Sequence, residues 1–142
     1  MDAFNKTALI GYTGVTGSNL FYDYKFTDVY NSKNIHEIIG KNYDCIVCCG
    51  INARKWYANL HPEEDLEQIN NLLNNLKHVN AKKFVLISSI DIYDNVDAKL
   101  NEDYVPELTT DNHPYGKHRL FAENFIKSTF DGYHIIRLSG LF

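Results

Sequence analysis

Short apolar runs recur along this chain and alternate with segments in which apolar residues return every three or four positions. A run that is apolar throughout is typical of a strand covered on both faces of a sheet, whereas the wider spacing is that of one helix face. The runs predict five strands, at 7–12, 27–31, 45–49, 84–87 and 134–138. The periodic segments predict helices at 18–24, 35–40, 63–80 and 115–130.

The regular alternation of strand and helix predicts an α/β fold. Parallel strands need right-handed crossovers, and only one further strand and one helix fit between positions 17 and 44. We therefore expect a doubly wound parallel sheet of five strands in the order 2-1-3-4-5, with helices on both faces. At 142 residues, the chain has the length of a single domain. Residues 54–57 and 94–113 are predicted to lie in loops.

Charge and composition narrow the classes of partner. The net charge of −4 and the pI near 5.8 argue against nucleic acid as the main partner, because phosphate binding favours a basic face. No apolar run approaches the ~20 residues that a membrane-spanning helix needs, and the first residues lack the features of a signal peptide. The three cysteines fall in one predicted strand, which does not suit a disulfide framework. A cytoplasmic protein is therefore expected.

Three glycines, Gly11, Gly14 and Gly17, come directly after the first predicted strand and lead into a predicted helix. The first N–H groups of a helix lack backbone partners, and the helix dipole is positive there. Such a turn can hold a pyrophosphate, with glycines allowing a tight turn, close approach of phosphate and close packing of helix on strand. A plain glycine-rich loop is the alternative, because glycine turns are common.

A second group of polar residues is predicted at the same end of the sheet. Ser88 and Ser89 end the fourth strand, Tyr115 begins a helix, and Arg119 lies one helical turn further on. Ligands of open α/β sheets bind at the carboxyl ends of strands, and residues four apart share a helix face. A serine, a tyrosine and a cation in one cleft suit proton transfer, since the cation stabilises the phenolate. Taken singly, Ser89 is more often a helix cap or turn residue, and Tyr115 a core or surface residue. Together with the glycine turn, they favour a functional site.

Five segments together resemble the extended short-chain dehydrogenase/reductase family, which comprises nucleotide-sugar epimerases, dehydratases and reductases. Residues 11–17 (GYTGVTG) are similar to its glycine motif, and residues 44–50 to the strand beside its cofactor. Residues 84–93 (FVLISSIDIY) resemble its Ser-Ser-x-x-x-Tyr strand end, and residues 114–125 (PYGKHRLFAENF) its Tyr-x-x-x-Lys helix. Residues 135–142 (IIRLSGLF) resemble its Arg-Leu-x-x-x-Phe strand. The resemblance covers nearly the whole chain and implies a Rossmann-like fold.

This resemblance implies an NAD or NADP cofactor and a small-molecule substrate such as a nucleotide sugar. It places Ser89 and Tyr115 at the catalytic serine and the acid/base tyrosine, and Arg119 at the position of the family's lysine. The residues that it implies to line the cofactor are Gly11, Tyr12, Thr13, Gly14, Val15, Thr16, Gly17, Asn31, Gly50 and Ser88.

The chain departs from the family pattern at three places. Arg119 keeps the charge of the lysine but not its geometry, which weighs against efficient turnover. Asn31 and Ser32 stand where the family carries a charged residue, so the sequence does not select between NAD and NADP. The chain stops at Phe142, so we expect a single domain without the family's further substrate-binding lobe.

Two classes of function follow from these observations. The first is an NAD(P)-dependent oxidoreductase or epimerase that acts on a sugar nucleotide or a related carbonyl or alcohol. The second is a catalytically impaired dinucleotide-binding module or partner subunit. Family members often pair through two helices, so the resemblance also implies a homodimer through helices 63–80 and 115–130.

Two further signals carry less weight. The six histidines and three cysteines lack the spacing of zinc ligands, so no metal site is expected. Arg54, Lys55 and Trp56 follow the third predicted strand. They either contact phosphate or substrate, or form a solvated loop.

Overall fold

Five strands form one parallel sheet in the computed structural model, which describes residues 6–93 and 112–139. The strands are β1 (Thr7–Ile10), β2 (Asp28–Tyr30), β3 (Asn42–Cys48), β4 (Asn80–Ser89) and β5 (Tyr133–Leu138). Their order across the sheet is β2-β1-β3-β4-β5. The predicted fold class and strand order are therefore confirmed.

Helices connect these strands and cover the sheet. In the described part of the chain they are α1 (Val15–Asp23), α2 (Lys55–Leu60), α3 (Pro62–Leu76), α4 (Pro114–Thr129) and the 3₁₀ helices Ile35–Ile38 and Ile90–Ile92. The chain moves from β1 to β2 in one direction across the sheet and from β3 to β4 in the other. Crossovers between parallel strands are right-handed in nearly all proteins, so this order places α1 and α3 on opposite faces of the sheet.

The main core lies between the sheet and the face that carries α3 and α4. Alternate residues of the strands point into it, such as Ala8 and Ile10 of β1 and Phe84 of β4. The ring of Phe130, directly after α4, stacks on Phe84 with 4.6 Å between ring centres. Full burial of one such side chain stabilises the fold by roughly 1.5–3 kcal/mol, so this stack anchors the end of α4 to the sheet.

Two connections differ from the sequence prediction. Residues 54–57, predicted as a loop, belong largely to α2, because a helix of six residues is too short to show an apolar period. The helix predicted at 35–40 is only the 3₁₀ turn Ile35–Ile38. Ile39 beyond it is 50% exposed, and Gly40, at φ +84°, takes the chain out of a helical path.

Several element ends also shift by a few residues. β1 ends at Ile10 rather than at 12, because Gly11 has φ +86° and cannot continue a strand. β3 and β4 begin earlier than predicted, since Asn42 and Asn80 already pair. α3 ends at Leu76, so the last residues of the helix predicted at 63–80 are not helical.

The loop predicted at 94–113 lies outside the described residues except for Asn112 and His113, which precede α4. Within the described ranges, no helix is both long and apolar enough to span a bilayer.

A hydrogen-bonded pair of tyrosines joins β2 to β3. Tyr43 Oη donates to Asp28 Oδ2 at 2.6 Å and lies 2.5 Å from Tyr30 Oη, so the Tyr30 hydroxyl donates to Tyr43. Both tyrosines are buried. Burial and the hydrogen bonds to Asp28 and Tyr30 raise the pKa of Tyr43 above its ordinary value, so its hydroxyl stays neutral.

Tyr43→Phe is expected to lower the free energy of unfolding by about 1–2 kcal/mol, because Tyr30 and Asp28 each lose a hydrogen-bond partner. Urea denaturation followed by circular dichroism measures this. The matched control is Tyr22→Phe, since the Tyr22 side chain is 85% exposed; its stability should change by less than about 0.5 kcal/mol. Equal stability of Tyr43→Phe and the wild type would contradict the prediction.

Candidate active site

A cleft of about 1000 Å³ opens at the carboxyl ends of β1, β3 and β4. The register explains why, since Ile10, Cys48 and Leu86 lie side by side, so β1 and β3 end at the same level and β4 continues beside the cleft to Ser89. The cleft brings together most of the residues that the sequence analysis singled out. Those that line it are Gly11, Thr13, Gly14, Val15, Thr16, Asn31, Gly50, Ser88, Ser89, Tyr115 and Arg119.

The three glycines of the turn have different structural tasks. Gly11 adopts φ +86°, and a Cβ there would lie 2.5 Å from the carbonyl oxygen of Cys49. Gly17 packs α1 on the turn so closely that a Cβ would lie 1.9 Å from the carbonyl oxygen of Gly11. At Gly14 the nearest atom would be 3.6 Å away, so the backbone there is open. The turn therefore depends on Gly11 and Gly17 for its shape and presents Gly14 to the cleft.

Two residues of the predicted set do not line the cleft. Gly17 is buried beneath the turn. Tyr12 packs its ring against Phe21 of α1, with 5.5 Å between ring centres. Both residues therefore support the turn from outside the cleft. Gly14 begins α1 without a side-chain cap, so the first N–H groups of that helix lack intrahelical partners.

The two serines at the end of β4 are both engaged by carboxylates. Ser88 Oγ donates to Glu123 Oε2 at 2.6 Å, and Glu123 also accepts two hydrogen bonds from Arg137, at 2.8 and 3.2 Å. Ser89 Oγ donates to Asp91 Oδ2 at 2.9 Å and accepts from the Asp91 N–H at 3.0 Å. The interpretation of Ser89 as a cap residue is thus correct, because it caps the 3₁₀ helix Ile90–Ile92.

Tyr115 and Arg119 share one face of α4 and both are buried. The guanidinium carbon of Arg119 lies 4.0 Å from the centre of the Tyr115 ring, so the cation covers the ring face. Arg119 Nη1 donates to Asp65 Oδ2 at 2.5 Å, and Nη2 donates to the carbonyl oxygen of Asn52. The Tyr115 N–H is accepted by Asn59 Oδ1 at 3.0 Å. The positive charge is therefore balanced by a carboxylate from α3.

Four residues of this region were not found by sequence reasoning: Asp65, Glu123, Asp91 and Asn52. Asp65 follows two glutamates in the first turn of α3, where acidic residues are expected for the helix dipole alone. Glu123 lies on α4, 35 positions from its partner Ser88. Only Asp91, two residues after Ser89, carried a local signal, because a serine and an aspartate at that spacing form a turn motif.

A small charged cluster stands at the lip of the cleft. Lys55 Nζ donates to Asp91 Oδ1 at 2.7 Å, and His113 Nε2 lies 4.0 Å from the same oxygen. Partial burial acts to raise the pKa of Asp91, but the hydrogen bonds from Lys55 and Ser89 outweigh it and lower the pKa. Asp91 is therefore a carboxylate near neutral pH.

His113 caps α4 in its neutral form. Its Nδ1 accepts the Gly116 N–H at 3.2 Å, so the ring proton lies on Nε2. Partial burial and the charge of Lys55 lower the pKa of His113, although Asp91 opposes them. Because the pKa of His113 is lower in the folded state than in the unfolded state, the neutral cap contributes its full stabilisation above pH ~6.5, the pKa of an unfolded histidine. That stabilisation is lost as the pH falls through the lowered pKa of the folded state.

Acidification from pH 7.5 to 5 is expected to destabilise the wild type more than His113→Asn, by up to about 1 kcal/mol, the usual effect of losing an N-cap. Asparagine caps a helix without titrating, so it is the matched control. Urea denaturation of both proteins across this range measures the difference. If the free energies of unfolding of the wild type and His113→Asn fall equally between pH 7.5 and 5, the cap does not depend on neutral His113.

The cysteines do not extend the site chemically. Burial raises the pKa of Cys48 to about 12 and that of Cys49 to about 11, so neither thiol is a nucleophile near neutral pH. Across residues 6–93 and 112–139, no three His, Cys, Asp or Glu side chains are grouped closely enough to hold a metal ion.

Comparison with known proteins gives one sequence family and one fold. The profile of the NAD dependent epimerase/dehydratase family matches residues 11–139. No curated protein sequence matches the chain significantly. The dTDP-4-dehydrorhamnose reductase of Yersinia enterocolitica superimposes with a TM-score of 0.72 at 16% identity, covering 95% of this chain and 53% of that one.

Two further solved structures share this fold. The dTDP-4-dehydrorhamnose reductase of Bacillus anthracis in complex with NADP has a TM-score of 0.71 at 17% identity, over 96% of this chain and 54% of that one. The UDP-N-acetylglucosamine 4-epimerase of Methanobrevibacter ruminantium in complex with UDP-N-acetylmuramic acid has a TM-score of 0.66 at 19% identity, over 93% and 54%. The chain thus spans about half the length of these proteins.

Proposed function

Because this chain belongs to the NAD dependent epimerase/dehydratase family, we propose that it binds NAD or NADP in the cleft and acts on a nucleotide sugar or a related carbonyl or alcohol. One observation carries the proposal. The glycine turn opens at Gly14 onto the same cleft that Ser89 and Tyr115 line. A pyrophosphate on the turn would leave the other end of a dinucleotide near those two side chains.

Two features of the cleft support a fit with a dinucleotide. The open backbone at Gly14, followed by uncapped N–H groups of α1, suits a phosphate. Arg119 Nε is buried and has no hydrogen-bond acceptor among the described residues, although Arg119 lines the cleft. Buried donors are normally satisfied, and a ribose hydroxyl would satisfy this one. Both NAD and NADP are proposed, since neutral Asn31 and Ser32 line the cleft after β2.

When bound in the cleft, the cofactor would supply hydride chemistry at the substrate carbon. The residues of the chain orient the substrate and handle its proton. Tyr115 is proposed to exchange a proton with the substrate oxygen as acid and base. Ser89 donates its own hydrogen to Asp91, so it offers a lone pair to a substrate hydroxyl. Ser88, held by Glu123, is proposed to shape the cleft beside the cofactor.

Gly14→Val is expected to weaken the binding of NADH and NADPH at least about tenfold, because a branched side chain would stand where phosphate must approach the backbone. Calorimetric titration of the wild type and the variant measures this. Because there is free space at Gly14, the variant should still fold, and circular dichroism verifies that it does. If the wild type binds neither nucleotide, or if folded Gly14→Val binds them equally well, the proposed site is wrong.

A dinucleotide-binding module with little turnover is the second candidate function. The observation that favours it is the pairing of Arg119 with Asp65, because a balanced charge stabilises a phenolate less than a free one. Assays of reduction and epimerisation with several nucleotide sugars discriminate the two candidates. A homodimer through α3 and α4 and a cytoplasmic location remain predictions from the sequence.

A further inference from the structure

Arg119 joins three separate segments around the cleft. Its side chain is among the largest that are fully buried, at 1% exposed. One terminal nitrogen donates to Asp65 on α3, and the other donates to the carbonyl oxygen of Asn52 in the segment after β3. The flat guanidinium also covers the ring of Tyr115 at the start of α4. The three contacts therefore tie α3, α4 and the β3 end of the cleft to one side chain.

We propose that Arg119 is a positioning residue, which fixes the Tyr115 ring and the Asn52 segment relative to each other rather than acting on the substrate proton. This inference rests on the proposed function, since it assigns a task within that cleft. A guanidinium is a rigid planar fork that can donate in two directions and stack on a ring at once. A lysine ammonium is a point charge on a flexible stem and cannot make all three contacts.

The partners of Arg119 support this assignment. Asp65 is buried and its Oδ2 atom also bonds His118 Nδ1 at 2.6 Å, so the carboxylate is held from two sides. Both terminal nitrogens of Arg119 are used by the protein, which leaves the unpartnered Nε for a ligand oxygen. The charge is thus committed to Asp65, and the side chain cannot swing toward the Tyr115 hydroxyl without breaking a buried ion pair.

The Asn52 segment that Arg119 holds lies close to a natural fluorescent probe of its mobility. Trp56 is the only tryptophan of the chain and lines the cleft four residues after Asn52. It is 63% exposed, and its ring meets that of Tyr57 edge to face with 5.6 Å between ring centres, so its motion follows the start of α2, just after Asn52. The nearby ion pair of Lys55 with Asp91 is half exposed on the lysine side and contributes little restraint. The anisotropy of Trp56 fluorescence therefore reports whether the Asn52 segment is held.

The test compares Arg119→Lys with the wild type in two measurements. We expect lower Trp56 anisotropy in the nucleotide-free variant, because an ammonium cannot hold Asp65 and the Asn52 carbonyl together. We expect NADH affinity to fall about threefold to tenfold, since the Asn52 segment must then become ordered when the nucleotide binds. Arg137→Lys is the matched control, because it makes the same change at the arginine that binds Glu123; it should leave Trp56 anisotropy unchanged.

A second variant keeps the test decisive if Arg119→Lys fails to fold. Asp65→Leu with Arg119→Met removes both charges together, which proteins tolerate better than the loss of one partner. Its Trp56 anisotropy should also fall, because the contact to Asn52 is gone. Wild-type anisotropy in both variants would overturn the proposal. Failure of the wild type to bind NADH would instead contradict the proposed function. The anisotropy comparison would still decide the role of Arg119.

Discussion

Gly17→Ala is expected to destabilise the fold by about 3 kcal/mol, the upper end of the usual cost of overpacking. The added Cβ would lie 1.9 Å from the carbonyl oxygen of Gly11 and 2.7 Å from its carbonyl carbon. Both are backbone atoms of the turn, which Gly11 holds by donating its N–H to the Tyr30 carbonyl at 2.7 Å. The helix α1 must therefore move away from the sheet, and the turn must open.

Gly14→Ala is the matched control for this effect. A Cβ at Gly14 meets only the Gly11 carbonyl oxygen, at an ordinary 3.6 Å. Its stability in urea should differ from that of the wild type by less than about 0.5 kcal/mol. If Gly17→Ala proves as stable as Gly14→Ala, the close packing of α1 on the turn is not a feature of the protein in solution.

The second large effect is expected at Glu123. This carboxylate is fully buried and accepts hydrogen bonds from Arg137 and Ser88. Glu123→Ala leaves the mostly buried guanidinium of Arg137 and the buried hydroxyl of Ser88 without this acceptor. Removing one partner of a buried pair costs roughly 3–5 kcal/mol. The free energy of unfolding in urea measures it.

Two comparisons test the cause of that loss. Glu67→Ala removes an exposed carboxylate of α3 and should have little effect. Glu123→Leu combined with Arg137→Met removes both charges and should be more stable than Glu123→Ala. A double variant that is less stable than Glu123→Ala would show that packing, rather than an unpaired charge, determines the loss.

The sheet could be predicted from the sequence because its information is local. The runs at 45–49 and 84–87 are apolar without interruption, and their short length between polar segments is typical of strands covered on both faces. The short 3₁₀ turn Ile35–Ile38 could not be told from a helix, since three isoleucines suit either until the exposure of Ile39 is known. The helix α2 shows no apolar period in six residues.

The partners inside the cleft could not be predicted, because they are distant in sequence. Arg119 and Asp65 are separated by 54 positions, and Arg119 and Asn52 by 67. A pattern of charges along α3 gives the same signal whether an aspartate faces water or a buried arginine. The placing of Tyr115 and Arg119 on one face of α4 was predictable from their spacing alone, whereas the pairing of that cation with Asp65 was not.

The central claim is that the glycine turn and the cleft beside it bind a nicotinamide dinucleotide. Amide chemical shifts of the ¹⁵N-labelled chain, recorded while NADH is added, test it most directly because each residue reports for itself. The account predicts shifts that saturate and cluster at Gly11, Thr13, Gly14 and Gly50, and that disappear in Gly14→Val. Shifts confined to residues away from the cleft, or none at high NADH concentration, would contradict it.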